Sequence, residues 1–534
     1  MNLNRLFRFA AAASLALAAA APATGQKLVL LHTNDTHSNI DPDGGVGGIL
    51  QRKAIIDSVR AAEHDVVLID AGDIVQGSLY FKFFRGEVEY PLLNMMDYDI
   101  RVLGNHEFDN GLDDMARWYR QAKGARLSAN YDFKGTSAEG IFDPYVIKRI
   151  GGKRIGFIGL NVDPRSLIAK SHTEGMRFLP IIETAIRTAR MLREQKKCDL
   201  IVAVTHIGYD NKADTWRETD VKLAAESKDI DIIIGAHSHT LVDPSDPKSP
   251  PSVVANADGR PVLIAQTGKY GRNIGKIEVD LSKVPLGSGI DGAAISYSLI
   301  PVTDRFAPEQ LDARMVEFLK PYKKAVDSIN AHTVAYVESD LPNGRPTGAL
   351  ANFTGDFGLT YGRHKADSLT RAGVPMRVDA ALMNTGGIRQ SFPAGALSER
   401  RVLSTYPFSN RVVILEISGA DFIEAMKAAA RRGGEAVSGN LLVLTDGDRG
   451  VVGVLIDGQP MDPATTYYIA TIDYLAEGND SMESLARGKR VWTDDVELTA
   501  PMLRHISRFG EQGISIAPDP TPRFRKAAPI PGAK

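Results

Sequence analysis

Residues 28–37 read LVLLHTNDTH, and this stretch sets the pattern for the first half of the chain. An apolar run typical of a buried strand leads into a carboxylate and an imidazole two positions apart, at Asp35 and His37. In an extended backbone these two side chains share a face. The stretch therefore predicts a strand whose carboxyl end presents two metal-ligand types to one point.

The same arrangement recurs at the ends of four later predicted strands. These clusters are Asp70-Ala-Gly72-Asp73, Gly104-Asn105-His106-Glu107-Phe-Asp109, Thr205-His206-Ile-Gly208 and Gly235-Ala-His237-Ser-His239, whose two histidines are again expected to share a face. Ligand sites in open α/β sheets lie outside the carboxyl ends of the strands, so we expect the five clusters to meet. Each cluster alone is weak evidence, but seven oxygen and nitrogen donors exceed the needs of one ion. They suit two divalent ions (Zn, Mn, Co or Fe) that share a bridging carboxylate.

Short apolar, β-branched runs alternate with amphipathic stretches through residues 27–300, which predicts a layered α/β domain. The predicted strands are Lys27–His32, Val66–Asp70, Ile100–Leu103, Arg154–Leu160, Leu200–Val204, Ile230–Ile234, Val262–Ala265 and Ile274–Val279, with helices at Ile49–Ala62 and Ile182–Gln195. The last two strands lie close together in the sequence. We expect them to form an antiparallel pair, and therefore a mixed rather than a purely parallel sheet.

A polar helix that opens at Pro308 and runs to Ile329 is predicted to connect two domains and to act as a hinge between them. The second unit has predicted strands at Thr333–Val337, Ala380–Met383, Val412–Ile417, Leu441–Leu444, Val452–Ile456 and Tyr467–Thr471, and helices over 355–369 and 419–432. The tail after Pro518 is rich in Pro, Lys and Arg, and we expect it to be frayed. The predicted divisions are 26–305, the linker 306–330, 331–525 and the tail 526–534.

The N-terminus has the order of a secretory signal peptide, which we place at residues 1–25. Arg5 and Arg8 precede the apolar run Phe9–Ala21, and small residues follow it at a cleavage site. The alternative is a short membrane anchor, but the run is too short to span a bilayer well. No later stretch reaches the roughly 18 apolar residues that a spanning helix needs, so we expect no membrane span after cleavage. The signal peptide predicts export across the inner membrane and a periplasmic location.

Composition excludes several classes of protein. The net charge of −2 argues against a broad binder of nucleic-acid polymers, which needs a basic excess. The single cysteine, Cys198, rules out an intrachain disulfide and a thiolate zinc site. A metal site can still supply local positive charge for a small anionic substrate.

The ordered clusters resemble the motifs of the calcineurin-like metallophosphoesterases. The forms Leu-His-Thr-Asn34-Asp35-Thr-His37 and Gly-Asn105-His106-Glu-Phe-Asp109 resemble more particularly the 5′-nucleotidase family, across almost the whole mature chain. The resemblance implies a four-layer α/β/β/α sandwich, a connecting helix and a second α+β domain that binds substrate. It also implies roles for nine residues: Asp35, His37 and His239 on one metal; Asn105, His206 and His237 on the other; Asp73 as the bridge; His106 as the catalytic histidine; and Asp109 as the aspartate that orients it.

Three stretches of the second unit resemble the family's substrate-binding motifs. They are Asn384-Thr-Gly-Gly-Ile-Arg389, Pro-Phe408-Ser-Asn410 and Tyr474-Leu-Ala-Glu-Gly-Asn-Asp480. The resemblance implies that Phe408 and Tyr474 clamp a base, that Asn384 and Arg389 contact the substrate, and that Asn410 and Asp480 contact base or ribose. The chain departs from the family pattern at 343–352, where Arg345 is the only arginine, and at Tyr474, where other members have Phe.

These features predict a secreted dinuclear-metal phosphohydrolase that releases phosphate from nucleoside 5′-monophosphates by in-line attack of an activated hydroxide, without a covalent intermediate. UDP-sugars are a further candidate substrate. The alternatives are a 2′,3′-cyclic-nucleotide phosphodiesterase/3′-nucleotidase and, in a different class, an inactive nucleotide-binding surface protein. The expected partner is a small nucleotide, and the expected state is a monomer.

Overall fold

A computed structural model describes residues 27–527, except 211–217, 288, 290–293, 330–331 and 346. The predicted signal peptide and most of the predicted tail lie outside these residues. Among the described residues, no helix combines the length and apolar character needed to cross a bilayer.

The first part of the chain alternates strands and helices, as predicted. Its strands are β1 Lys27–Thr33, β2 Asp65–Asp70, β3 Ile100–Val102, β4 Ala125–Leu127, β5 Tyr131–Asp132, β6 Tyr145–Ile150, β7 Lys153–Asn161, β8 Arg177–Phe178, β9 Leu200–His206, β10 Ile232–Ile234, β11 Val253–Ala255, β12 Pro261–Ala265, β13 Asn273–Asp280 and β14 Ile295–Pro301. Its helices are α1 Ile49–Ala62, α2 Leu79–Phe84, α3 Glu89–Met95, α4 Leu112–Tyr119, α5 Ile181–Glu194 and α6 Asp220–Glu226.

Two six-stranded sheets form the centre of this part, in the orders β14-β13-β1-β2-β3-β4 and β11-β12-β10-β9-β7-β6. Side chains alternate along β1: Leu28 and Leu30 pack between the sheets against Phe157 and Val202, whereas Val29 and Leu31 belong to the core on the opposite, helix-bearing face. Helix α5 covers the outer face of the second sheet. The result is the predicted four-layer α/β/β/α sandwich.

The sheets are mixed, as predicted, but the expected antiparallel pairing of the last two predicted strands is wrong. Strand β12 runs parallel to β10 in the second sheet. Strand β13 lies in the first sheet, antiparallel to β1 and β14. Proximity in sequence did not decide the pairing, because the two strands belong to different sheets, in each of which the strand is second from the edge.

Helix α7, Ala313–Ser328, follows a short 3₁₀ turn at Pro308–Gln310 and carries Pro321 inside it. Asp312 caps its first turn by accepting from the backbone N–H groups of residues 314 and 315. Met315, Leu319 and Val326 are buried in the outer core of the first sheet. The connecting helix is therefore packed against the first part of the chain.

The second part is an α+β unit. Its strands are β15 Thr333–Val337, β16 Ala380–Met383, β17 Gly395–Ser398, β18 Arg411–Ser418, β19 Ala436–Val437, β20 Leu441–Thr445, β21 Val451–Ile456, β22 Gln459–Pro460, β23 Thr466–Ile472, β24 Lys489–Glu497 and β25 Phe524–Lys526. Its helices are α8 Ala349–Arg371, α9 Glu399–Thr405, α10 Gly419–Arg431, α11 Asp473–Ala476 and α12 Thr499–Glu511. The main sheet has the order β19-β16-β23-β18-β24.

The prediction of a frayed segment after Pro518 is wrong for the described residues. Strand β25 pairs in parallel with β20 and completes a four-stranded sheet. Arg523 is buried, donates to the backbone oxygens of Val437 and Asn352, and forms an ion pair with Asp356. These bonds hold the segment, although its composition alone is typical of a loose end.

Candidate metal and nucleotide site

The five predicted clusters follow β1, β2, β3, β9 and β10, whose carboxyl ends lie at the same edge of the sandwich. The structure brings all seven predicted metal donors to this edge. In two groups, Asp35 with His37 and His239, and Asp73 with His206 and His237, ligand atoms lie within 4.8 Å of one another.

The first group is arranged around two facing imidazoles. His37 Nε2 lies 2.8 Å from His239 Nε2. Asp35 Oδ1 lies 3.5 Å from His239 Nε2 and 3.9 Å from His37 Nε2. These three side chains therefore direct their donor atoms to one small volume.

The second group shares Asp73 with the first. Asp73 Oδ2 lies 3.2 Å from His206 Nε2 and 3.9 Å from His37 Nε2, so this carboxylate faces both groups. His237 Nδ1 lies 2.9 Å from the side-chain oxygen of Asn105. Asp73 is therefore shared by the two groups of predicted donors.

The donor set fits divalent cations. His206 Nδ1 faces the carbonyl oxygen of Ala71 at 2.8 Å, so Nδ1 carries a proton and Nε2 turns toward the Asp73 carboxylate. Burial lowers the pKa of His206, but the neighbouring Asp73 carboxylate outweighs burial and raises the value to about 10. Imidazole nitrogens that face each other or a carboxylate in a buried volume are the arrangement that a bound cation stabilises.

The backbone at these donors corrects one expectation from the sequence. Asp35 and His37 have φ of 48° and 45°, and His237 and His239 have φ of 73° and 55°, so neither pair lies in extended backbone. Asp73 is also left-handed, with φ of 55°. Such conformations are costly outside glycine and concentrate at functional sites. The side chains converge through turns and not through strand alternation.

Two glycines permit the loops that carry Asp73 and Asn105 to pack together. A Cβ on Gly72 would lie 2.5 Å from the backbone nitrogen of Gly104, and one on Gly104 would overlap the Asp73 carboxylate. Glu107 ties the same loops: its carboxylate accepts from the backbone N–H groups of Asp73 at 3.0 Å, of Ile74 at 2.9 Å, and of Gly104. Burial, with a smaller contribution from Asp73, raises the pKa of Glu107 to about 7.

His106 and Asp109 form a pair beside the donors. His106 Nδ1 lies 3.0 and 3.1 Å from the two carboxylate oxygens of Asp109, and its backbone N–H donates to Asp73. Burial opposes protonation of the ring, but Asp109 and Asp73 together raise the pKa of His106 above its ordinary value. The pair can therefore hold an imidazolium next to the donor groups.

A cavity of about 540 Å³ joins this edge to the second unit. All six predicted substrate residues line it: Asn384, Arg389, Phe408, Asn410, Tyr474 and Asp480. Asp73, Asn105, His106, His237 and His239 line the opposite side. The Phe408 ring lies 5.8 Å from the His106 ring, and the Arg389 guanidinium lies 5.9 Å from the Phe408 ring. Arg389 also lowers the pKa of His37 and His239, after the larger effect of burial.

Asp480 is held by a charge network that the sequence did not reveal. Its carboxylate pairs with Arg432 at 2.9 Å and accepts from Asn384 Nδ2 at 2.6 Å. Arg432 also pairs with Glu435, which in turn pairs with Arg345. Arg345 is therefore engaged inside the second unit, and it is not among the residues that line the cavity. No local pattern marked either residue: Arg432 directly follows the amphipathic helix α10, and Glu435 directly precedes β19.

Further residues of the first part line the cavity and were not singled out from the sequence. They are Gln76, Phe81, Lys82, Arg85, Asn110 and the segment Leu167–Ala169 with Ser171 and His172. Lys82 also crosses to the second unit, where its amine donates to Thr499 Oγ1 at 3.1 Å and to Glu497 and the Pro407 carbonyl at 3.4 Å.

Comparison with known proteins gives a consistent result for both parts. Residues 28–241 match the calcineurin-like phosphoesterase family, and residues 349–487 match the 5′-nucleotidase C-terminal domain. A 5′-nucleotidase of Vibrio cholerae is 29% identical over 90% of this chain and 91% of its own length, and protein UshA of Escherichia coli is 28% identical over 86% and 87%.

One relative is much longer than this chain. The trifunctional nucleotide phosphoesterase protein YfkN of Bacillus subtilis is 27% identical over 90% of this chain, which spans about a third (34%) of that protein. Among solved structures, a 5′-nucleotidase precursor from Thermus thermophilus superimposes with a TM-score of 0.78 at 28% identity, covering 94% of this chain and 100% of that one.

Proposed function

This chain belongs to the 5′-nucleotidase family of metal-dependent phosphomonoester hydrolases, and we propose from that premise that it releases phosphate from nucleoside 5′-monophosphates with two divalent cations. One observation carries the proposal. A single cavity is lined on one side by the metal donors with the His106–Asp109 pair, and on the other by Arg389 and two aromatic rings. Such a cavity suits a molecule with a phosphate at one end and a planar base at the other.

The proposed ligand sets follow from the two groups of donors. Asp35, His37 and His239 would hold one cation, Asn105, His206 and His237 the other, and Asp73 both. When bound, a pair of such cations (Zn, Mn, Co or Fe) activates water at neutral pH and offsets the negative charge of the phosphoryl group. Glu107 and the two glycines keep the Asp73 and Asn105 loops at the spacing that this sharing requires.

The proposed role of His106 rests on its pairing with Asp109. Asp109 accepts from Nδ1–H of the ring, which fixes the orientation of the ring and favours its protonated form. Nε2–H of the same ring is then free to donate to a phosphoryl or leaving-group oxygen as negative charge develops there. Water attacks phosphorus in line with the departing ribose oxygen, and no protein side chain is covalently modified.

At the other end of the cavity, we propose that the base stacks between Phe408 and Tyr474. Arg389 would reach the phosphate, since Nη2 of its guanidinium is buried and has no hydrogen-bond partner in the described part of the chain. Asn384 and Asp480, already joined to each other, would contact the ribose hydroxyls, and Asn410 the base or ribose.

The organisation proposed for the whole chain has a leader at 1–25, a metal-binding domain at 26–305, a linker at 306–330, a substrate domain at 331–525 and a tail at 526–534. We propose that the leader directs export to the periplasm and that the enzyme acts there as a monomer. A proteomic measurement of the mature N-terminus in fractionated cells tests the export step. An uncleaved, cytoplasmic chain would contradict it.

A second candidate activity is opening of 2′,3′-cyclic nucleotides, with UDP-sugar hydrolysis as a third. The observation that favours the cyclic substrate is Tyr474, whose hydroxyl faces Asp480 at 3.5 Å and gives the clamp a polar edge that Phe lacks. The relative named a trifunctional nucleotide phosphoesterase is compatible with more than one substrate on this scaffold.

A substrate panel tests the proposal directly. Phosphate release from AMP is compared with opening of 2′,3′-cyclic AMP and hydrolysis of UDP-glucose, with Zn, Mn and Co added in turn after chelation. We expect AMP to have the highest kcat/KM, and Asp73→Asn to abolish turnover and metal content together. Asp258→Asn, a matched change at an exposed position, should leave both unchanged. Bound nucleotide without turnover under every metal would instead identify an inactive binding protein.

A further inference from the structure

Gln76 carries a buried amide that the proposed function does not use. The residue is 1% exposed, and neither Oε1 nor Nε2 has a hydrogen-bond partner within the described residues. Buried side-chain amides are normally bonded, because an unmade bond costs the full loss of hydration. An unpaired amide at this position therefore calls for a partner other than the described residues of the chain.

The backbone at Gln76 is also unfavourable. Its φ is 76°, a left-handed value that residues with a side chain adopt rarely, and Gly77 follows with φ of 103°. Asparagine or glycine at this position would adopt the left-handed conformation at a lower free-energy cost. Two separate costs thus fall on one residue, which is the pattern expected where function and not stability selects a conformation.

The position of Gln76 indicates what its partner is. It lies three residues after Asp73 and lines the same cavity as Asp73, His239 and Arg389. Arg389 approaches this end of the cavity from the second unit, whereas Gln76 belongs to the first. A phosphoryl group bound between them would have three non-bridging oxygens. One of these could accept from Gln76 while the others face the Arg389 guanidinium and the metal side.

We propose that Gln76 is a substrate-contacting residue whose Nε2 donates a hydrogen bond to a non-bridging oxygen of the phosphoryl group. This inference rests on the proposed function, because that function places a phosphate at the metal donors. A neutral amide suits the task, since it orients the phosphoryl group without adding charge to a site that already holds cations. Sequence spacing gave no reason to select this residue.

One competing role lies within reach. His37 Nδ1 is also buried without a hydrogen-bond partner in the described chain, and Gly77 lies beside the His37 backbone. A small rotation could let Gln76 Oε1 accept from that nitrogen and so support a metal ligand rather than the substrate. Metal content separates the two roles, because only the supporting role predicts weaker metal binding when the amide is removed.

The test measures binding of inorganic phosphate to the metal-loaded full chain by calorimetry, for wild type, Gln76→Met and Gln76→Gly. We expect both variants to bind phosphate about 10- to 100-fold more weakly, the value of one hydrogen bond to a charged acceptor, with unchanged metal stoichiometry. The Tm of Gln76→Met should stay equal or rise, because an unpaired polar group is removed. Gln76→Gly suits the left-handed backbone and guards against misfolding of the first variant.

Gln51→Met is the matched control. Its amide is also buried but fully bonded, donating to the Phe306 carbonyl at 2.8 Å and accepting from the Phe306 N–H at 3.2 Å, outside the cavity. We expect this variant to lose thermal stability and to keep wild-type phosphate affinity, the reverse of Gln76→Met. Wild-type phosphate affinity in both Gln76 variants, or metal loss in either, would overturn the proposal. Phosphate binding by a wild type that hydrolyses no nucleotide would refute the proposed function alone.

Discussion

Removal of the Glu107 carboxylate should destabilise the two loops that carry Asp73 and Asn105, without removing any predicted metal donor. The side chain touches no predicted substrate group, yet it accepts three backbone hydrogen bonds, from Asp73, Ile74 and Gly104. In Glu107→Ala these three buried N–H groups lose their acceptor. We therefore expect the loop of Asp73 to separate from the loop of Asn105, although every predicted metal donor is still present.

The size of the effect follows from these three bonds. Above about pH 7, where Glu107 is ionised, a hydrogen bond to its charged carboxylate contributes about 1.5–3 kcal/mol. Water that enters the space left by Ala can replace part of it. We expect a loss of about 3–5 kcal/mol in the free energy of unfolding, a large share of the roughly 5–15 kcal/mol typical of a folded protein. Metal affinity should fall by about 10- to 100-fold, as for other residues that support metal ligands.

The assay has two measurements: the Tm of the chelated protein from thermal unfolding, and the metal affinity from calorimetric titration. Glu107→Gln should fall between wild type and Glu107→Ala, because the amide keeps one acceptor oxygen but turns N–H donors toward the backbone N–H groups. Glu424→Ala, at an exposed glutamate of α10, is the control and should change stability by less than about 0.5 kcal/mol. Wild-type Tm and metal affinity in Glu107→Ala would show that the reasoning about this clamp is wrong.

Three further predictions concern the second unit and its contact with the first. Arg389→Ala should raise the KM for AMP about 10- to 100-fold at unchanged Tm. Arg389→Lys should restore only part of the lost affinity, because lysine lacks the forked donors of arginine. Equal KM values for wild type and both variants would contradict the phosphate contact. Burial alone would raise the pKa of Glu435, but the neighbouring arginines hold it below its ordinary value, so its charge stabilises the fold above about pH 4.3. The difference in unfolding free energy between wild type and Glu435→Gln should thus be constant near neutrality and shrink as the pH falls through the folded-state pKa of Glu435. Denaturant titrations that give the same difference at pH 3 and pH 7 would contradict this stabilising role of the Glu435 charge. Asp41 and Arg400 belong to opposite units, and Asp41 Oδ2 lies 3.8 Å from Arg400 Nη2 in their ion pair. If α7 is a hinge, a short thiol cross-link between Asp41→Cys and Arg400→Cys should slow turnover until the cross-link is reduced. Full turnover of the cross-linked enzyme would rule the hinge out.

Much of the first part could be predicted from the sequence because its signals are local. Apolar β-branched runs that end in Asp, Asn or His mark buried strands and the residues just beyond them. Parallel strands place those residues at one edge of a sheet whatever the order of the strands. This is why the clusters at Asp35, Asp73 and His206 could be expected to meet before any topology was known, while their roles as metal ligands remain predictions.

Other features depended on contacts between distant segments. The left-handed turns at His37 and His239 are held by neighbours far away in sequence, such as the Asp73 carbonyl that accepts from the His37 N–H at 2.9 Å. The sheet that β13 would join, and the ordering of Arg523 after a Pro-rich segment, were equally invisible to local pattern. Each depends on which edge or carbonyl is unoccupied once the rest has folded.

The sequence by itself determined the two-part organisation, the alternation of strands and helices, and the chemical types of the donors that end the strands. Only the tertiary structure decided how the loops of Asp73 and Asn105 are spaced, that Arg345 is engaged by Glu435, and that the Gln76 amide is buried without a partner among the described residues. The physical reason is range. Backbone preference and hydrophobic periodicity act over a few residues, whereas hydrogen bonding and charge pairing act between whatever groups the packed layers bring together.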